Sequence, residues 1–375
     1  MKKVLIIALA LLMVVAFVAG CAAPAAPAED PAPAEESKAP AEEPEEPVEE
    51  PTEEFDPTAY PVAICMDTYN HPVHRTVQLG FLKKASELGY TDAQVVGTDL
   101  GDSAAAWENG LQWAKAGGKG LLLWAGDSSC WEVMKEIAAC GTIVGIPHFN
   151  HMSQNDGNLP EGLSFNMACS PTLYGQQVAT LLAAKCDGKE GAVAITLNTH
   201  NITEDAADEA FRAQWEVEAA NYDLSKVTIL DTELEGGDLV EATSIIQGII
   251  GAHPEIIAAF GTTGNSPQSW SNAATNAGKA DGEIAIVGMD ATEGNLAALR
   301  AGKVVAIVAQ PLFQEAAKTM EYIDVILRGG SVDAWTDLEA PVVTLDGEGE
   351  NGPEFHEALA AEVTEYFTAL GMKVG

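Results

Sequence analysis

The sequence predicts an α/β protein whose body is two lobes, each a parallel sheet covered by helices. Three observations carry that expectation. From Tyr60 onward, short apolar runs alternate with longer amphipathic stretches. Successive strand candidates lie roughly 20–35 residues apart, which calls for crossover helices and therefore parallel pairing. A body of 317 residues exceeds what one hydrophobic core organises.

Taken in order, the chain opens with Lys2 and Lys3 and an uncharged apolar run at 4–19, marginal for a bilayer core of ~30 Å. Val18-Ala19-Gly20-Cys21 then resembles a bacterial lipobox, with Val where Leu is commonest. The resemblance implies a lipoprotein signal peptide over 1–20 and lipidation of Cys21, whose acyl chains anchor the protein to a membrane. Residues 21–59 follow as an acidic tether. Nine prolines alternate with Ala and Glu, and thirteen acids face one Lys between 21 and 58, so the segment has nothing to bury and stays extended.

In the body, strands are expected at 62–66, 93–97, 120–124, 142–146, 163–166 and 192–197. They continue at 227–230, 256–260, 284–289, 304–309 and 342–345. Between them Val77, Phe81, Ala85 and Leu88 share one helix face, as do Leu239, Ala242, Ile246 and Ile249. Gly89, Gly117, Gly188, Gly278 and Gly302 stand where helices end. In such sheets ligands bind beyond the carboxyl ends of the strands, so a site is sought in those loops.

Composition removes several function classes. The chain holds 56 acidic and 19 basic residues, net −37, and the body alone carries −27. Nucleic acid is excluded as a partner, because phosphate binding needs a basic face, and the same field disfavours anionic ligands. Neither G-x-G-x-x-G after a strand nor G-x-x-x-x-G-K-[ST] occurs, so nucleotide phosphates have no cradle. No Ser-His-Asp, Cys-His or G-x-S-x-G context marks an enzyme. His71-x-x-His74 and His148-x-x-His151 have a ligand spacing, but no C-x-x-C or H-E-x-x-H accompanies them, and neither metal nor cofactor is expected. Five cysteines remain besides Cys21, so at least one thiol stays free. Cys130 and Cys140 flank one helix of ~15 Å, too far apart for a bridge.

Four stretches in order resemble the type I periplasmic binding proteins, the ribose- and galactose-binding family. They are 62–72, a strand and an asparagine-proline loop; 81–90, ending Glu87-Leu88-Gly89-Tyr90; 252–260, around His253-Pro254; and 286–292, followed by Ala301-Gly302-Lys303-Val304 and Ala309-Gln310-Pro311. Together they cover about 61–330. The resemblance implies two Rossmann-like lobes joined by a three-segment hinge, one from 60–164 plus 311–340, the other from 165–310 plus 341–375. The lobes would close on a ligand that is handed to an ABC permease. The expected protein is a monomeric, extracytoplasmic, membrane-anchored lipoprotein that binds a sugar or sugar-like molecule. The alternatives are a module that presents its ligand to a membrane receptor or kinase, and a binder of a nucleoside or amino-acid derivative.

Candidate ligand residues follow from strand ends and from the resemblance. Asp290, directly after an apolar strand, is either a helix N-cap or the carboxylate that the family aims at ligand hydroxyls; Gln310 matches a family ligand amide. The first loop offers Asp67, Tyr69, Asn70 and His71, with Val73 and His74 where sugar binders place aromatics. His148-Phe149 stand where the family shows Asp-Arg, and near Ala207 a family arginine is missing, which leaves His200 as a polar substitute. Ribose itself is therefore not expected. Trp124 and Trp270, beyond strand ends, read as core or as stacking platforms. Asn166, Thr263 and Asn265 complete the polar set.

Overall fold

The computed structural model describes residues 55–68, 70 and 72–372; the expected signal peptide, Cys21, most of the expected tether, Tyr69 and His71 lie outside them. The first half runs β1 (Val62–Met66), α1 (Pro72–Glu87), β2 (Ala93–Gly97), α2 (Ser103–Lys115), β3 (Gly120–Leu123), α3 (Trp131–Ala139), β4 (Ile143–Ile146) and β5 (Phe165–Cys169). Next come α4 (Pro171–Cys186), β6 (Gly191–Leu197), α5 (Ile202–Glu218), β7 (Val227–Ile229), β8 (Glu233–Leu234), α6 (Leu239–Ala252) and β9 (Ile256–Gly261). The chain ends with α7 (Ser266–Asn276), β10 (Ala285–Met289), α8 (Glu293–Arg300), β11 (Ala306–Val308), α9 (Leu312–Leu327), β12 (Trp335–Leu338), β13 (Val342–Val343) and α10 (Pro353–Ala369).

Two sheets result, in the orders β12-β5-β4-β3-β1-β2 and β13-β11-β10-β9-β6-β7, with β8 also on β6. Among the described residues these strands pair in parallel except β13 on β11, and one isolated antiparallel bridge joins Thr68 to Asp99. The central strands β1, β3 and β10 are buried along their whole length, as parallel strands covered on both faces must be. Helix entries are capped by short polar side chains: Asp102 for α2, Ser170 for α4, Asn201 for α5, Asp238 for α6. Among the described residues no helix is long and apolar enough to cross a membrane.

The expected lobe boundaries need three corrections. Strand β5 pairs with β4 through Gly145–Phe165 and Ile146–Asn166. Phe165 and Met167 are fully buried in the first lobe's core, so the first passage to the second lobe follows Cys169 rather than Ser164. The chain passes between the sheets twice more, after β11 and after β12. The tail is not confined to the second lobe: α10 lays Val363 and Phe367 against Leu79 of α1 and Phe313 of α9, and Lys83 pairs with Glu362 at 2.5 Å. Phe367 is fully buried, and the Arg75 guanidinium lies 4.4 Å from its ring centre. From its position on the first lobe, α10 also holds Arg300, the last residue of α8, through Glu357 at 2.7 Å and Glu354 at 3.1 Å. Finally, the body begins before Tyr60, because Phe55 stacks on Tyr60 at 4.9 Å and sits under Arg328 at 4.2 Å.

Candidate functional site

The carboxyl ends of β1, β3, β4 and β5 face those of β6, β9, β10 and β11, and two side-chain groups meet there. On the first lobe Trp124, following β3, stacks on His148, following β4, with ring centres 5.2 Å apart and planes 12° off parallel. Phe149 meets both edge-on, at 5.0 Å and 4.9 Å, and His74 meets Trp124 at 5.3 Å. His148 is anchored from behind: its Nδ1 lies 3.1 Å from Oε2 of Glu315 in the first turn of α9, and Oε1 of Glu315 accepts from the Cys169 backbone N–H at 3.0 Å. Burial disfavours the imidazolium, but the charge and hydrogen bond of Glu315, helped by Asp290, leave its pKa above the ordinary histidine value.

Asp290 supplies the second group. The helix that follows is capped by Thr292, whose hydroxyl accepts from the Asn295 N–H, so Asp290 is not a cap. Its backbone is left-handed, φ 66°, and so is that of His148, φ 72°. Two of the three non-glycine residues in that region among those described thus face each other across the cleft, where strain is retained only if the surroundings impose it. Asn295, fully buried, imposes it on Asp290: its amide donates to the carbonyls of Gly264 at 2.7 Å, Met289 at 3.0 Å and Asp290 at 2.8 Å. A Cβ on Gly264 would fall on Asp290 Oδ2, so only glycine leaves the carboxylate its place. Burial pushes the Asp290 carboxyl up to about 6, with the His148 charge pulling the other way. No described residue donates a hydrogen bond to it. Gln310 is half-buried one strand along, at the end of β11.

The other expected residues among those described make their contacts within the protein. Trp270 is fully buried in the second lobe's core and donates to Thr196 Oγ1 at 2.9 Å, so it is packing and not a platform. Asn166 spends its whole amide on the 146–152 loop, donating to the Ile146 and Phe149 carbonyls and accepting from the His151 N–H. Thr263 donates to the fully buried Glu235, which also holds Thr196 and Ser266. Asn265 donates to the Gly237 carbonyl, and Asp67 accepts from Ser103. Asn70 is held by Asp99 and Arg75. His200 is exposed and faces Asp205. His151 is fixed between Trp131 and the Ala125 carbonyl. Among the described residues no group of three or more His, Cys, Asp or Glu is arranged to hold a metal ion.

A profile of the periplasmic binding protein domain matches residues 62–331. The chain is a type I periplasmic binding protein. It is similar to the ribose import binding protein RbsB of Escherichia coli strain K12, 27% identical over 282 residues, 75% of this chain and 90% of that one. Among solved structures, this binding protein resembles a periplasmic ribose ABC transporter protein from Conexibacter woesei, with a TM-score of 0.65, 19% identity, and 77% and 95% of the two chains covered. It also resembles an arabinose binding protein from Geobacillus stearothermophilus, with a TM-score of 0.66, 14% identity, and 76% and 97% covered. Within the binding protein, sequence reasoning missed Glu315 and Asn295, the two residues that position His148 and Asp290. An acid in a helix's first turn reads as a partner for the helix dipole, and an Asn there as a cap.

Proposed function

We propose that this binding protein is the extracytoplasmic receptor of an ABC importer and takes a sugar or sugar-like solute between its lobes, without catalysing a reaction on it. One observation carries the reading: a carboxylate that accepts no hydrogen bond from any described residue stands opposite an aromatic wall, in a cleft between two lobes. A sugar ring supplies both complements, hydroxyl donors for Asp290 and an apolar face for His148 and Phe149, which the buried Trp124 backs. The names of the similar proteins support it, since they bind ribose and arabinose. Ribose itself fits less well here, because Phe149 and the buried Ala207 stand where the family has charged groups. In this reading Cys21 carries the lipid, 21–54 spans the gap to the membrane, and a monomer delivers its ligand to a permease.

A thermal-shift screen of sugars, polyols, nucleosides and amino acids tests it. A ligand at 100 times its Kd adds about 2.7 kcal/mol, and Gly264→Ala, which displaces the Asp290 carboxylate, is expected to weaken it roughly ten- to a hundredfold. A nucleoside or amino acid stabilising the protein while every sugar fails would refute the sugar reading. Membrane partitioning lost in Cys21→Ser checks the anchor.

A further inference from the structure

A cavity of about 560 Å³ opens beside the aromatic wall. It touches His148 and Phe149, yet Trp124, Asp290 and Gln310 are not among its lining residues. It therefore adjoins the place where a first ring would meet Asp290, and the two share the His148-Phe149 wall. Its size lies within the roughly 300–1,000 Å³ usual for small-molecule sites, so it has room for a ligand unit of its own. Small side chains keep it open, with Gly126 and Ala168 from the first lobe and Ala206 from α5.

The chemistry of the walls narrows the occupant. The polar side chains of the walls are mostly hydroxyls and amides, among them Asn150, Gln154, Thr172 and Thr203, set between apolar ones such as Leu173, Ile202 and Trp335; Asp337 is the one carboxylate, and no Lys or Arg lines the cavity. Such walls offer donors and acceptors to hydroxyl groups and nothing to neutralise an anion. We infer that the ligand is longer than one ring: a neutral disaccharide or glycoside, one ring between Asp290 and the His148-Phe149 wall and the next unit in this cavity. The inference rests on the sugar reading above.

Calorimetry on the full chain separates the two. Glucose, galactose, xylose and arabinose are titrated against maltose, cellobiose, lactose, xylobiose and the methyl glycosides of the same rings. At least one two-unit ligand is expected to bind about tenfold or more tighter than its single ring. Ala206→Trp fills the cavity from α5 and should remove that gain while leaving single-ring affinity unchanged. Thr203→Trp, on an exposed position one turn earlier on the same helix, does the same and guards against a misfolded variant. If single rings bind as tightly as every longer ligand, or if both filling variants keep the gain, the inference falls and the sugar reading stands. If no sugar of either length binds, both fall.

Discussion

Asp290→Asn should make the unliganded protein more stable while it weakens ligand binding. The carboxyl is raised from 3.8 to about 6 because burial penalises its charge. At pH 7.5 the native state thus holds an ionised group that the unfolded chain would ionise more easily. Each pKa unit corresponds to about 1.36 kcal/mol, so the penalty at pH 7.5 is about 3 kcal/mol. The sign follows from the raised pKa: the relative stability is fully present below pH 3.8, the unfolded value, and is lost as pH rises through about 6. By pH 4.5 the native carboxyl is protonated and the penalty shrinks to about 1 kcal/mol. An amide is neutral throughout, so the variant should gain roughly 4–6 °C in Tm at pH 7.5, taking about 2 °C per kcal/mol for a chain this long. The gain should fall to about a third at pH 4.5. Scanning calorimetry on both proteins at both pH values reads this directly. A variant that melts no higher at pH 7.5, or whose advantage is the same at pH 4.5, would refute the desolvation argument.

Glu315→Gln removes the charge that favours the imidazolium of His148, so the His148 pKa, raised in the native protein, should fall when its ring protons are followed by NMR. The same pair stabilises the native fold below about pH 6.5 and loses that contribution as pH rises through the folded His148 value; the variant's stability should lack this dependence. Phe367→Ala empties a fully buried ring site between α10 and α1 and should cost about 3–5 kcal/mol in urea unfolding, where a loss under 1 kcal/mol would mean that α10 is not docked on the first lobe.

The runs that became β1, β3 and β10 were legible because a strand buried on both faces has to be apolar throughout. Strand β12 was not. Its Trp335-Thr336-Asp337-Leu338 is a half-buried edge strand with an acid in the middle, and nothing local separates that from a loop. The misassigned β5 has another cause: an apolar run looks the same whichever sheet it joins, and pairing with β4 is decided at long range. Asp290 was readable as an acid ending an apolar strand, and Trp124 as an indole at a strand end. Trp270 and Asn166 carry the same local signature, yet Thr196 and the 146–152 loop claim them. A polar or aromatic residue near a strand end declares its role only once its partners are placed.

The ion pairs of Arg300 set how the lobes respond to the medium. Arg300 belongs to the second lobe, while Glu354 and Glu357 ride on a helix docked against the first. Any separation of the lobes along that edge must part these charges, and all three side chains face solvent. Counter-ions screen such exposed pairs, with a Debye length of about 8 Å at 0.15 M salt falling to about 3 Å at 1 M. The catch is therefore stiff in dilute medium and slack in brine, and the rate at which an empty cleft opens to admit solute should climb with ionic strength.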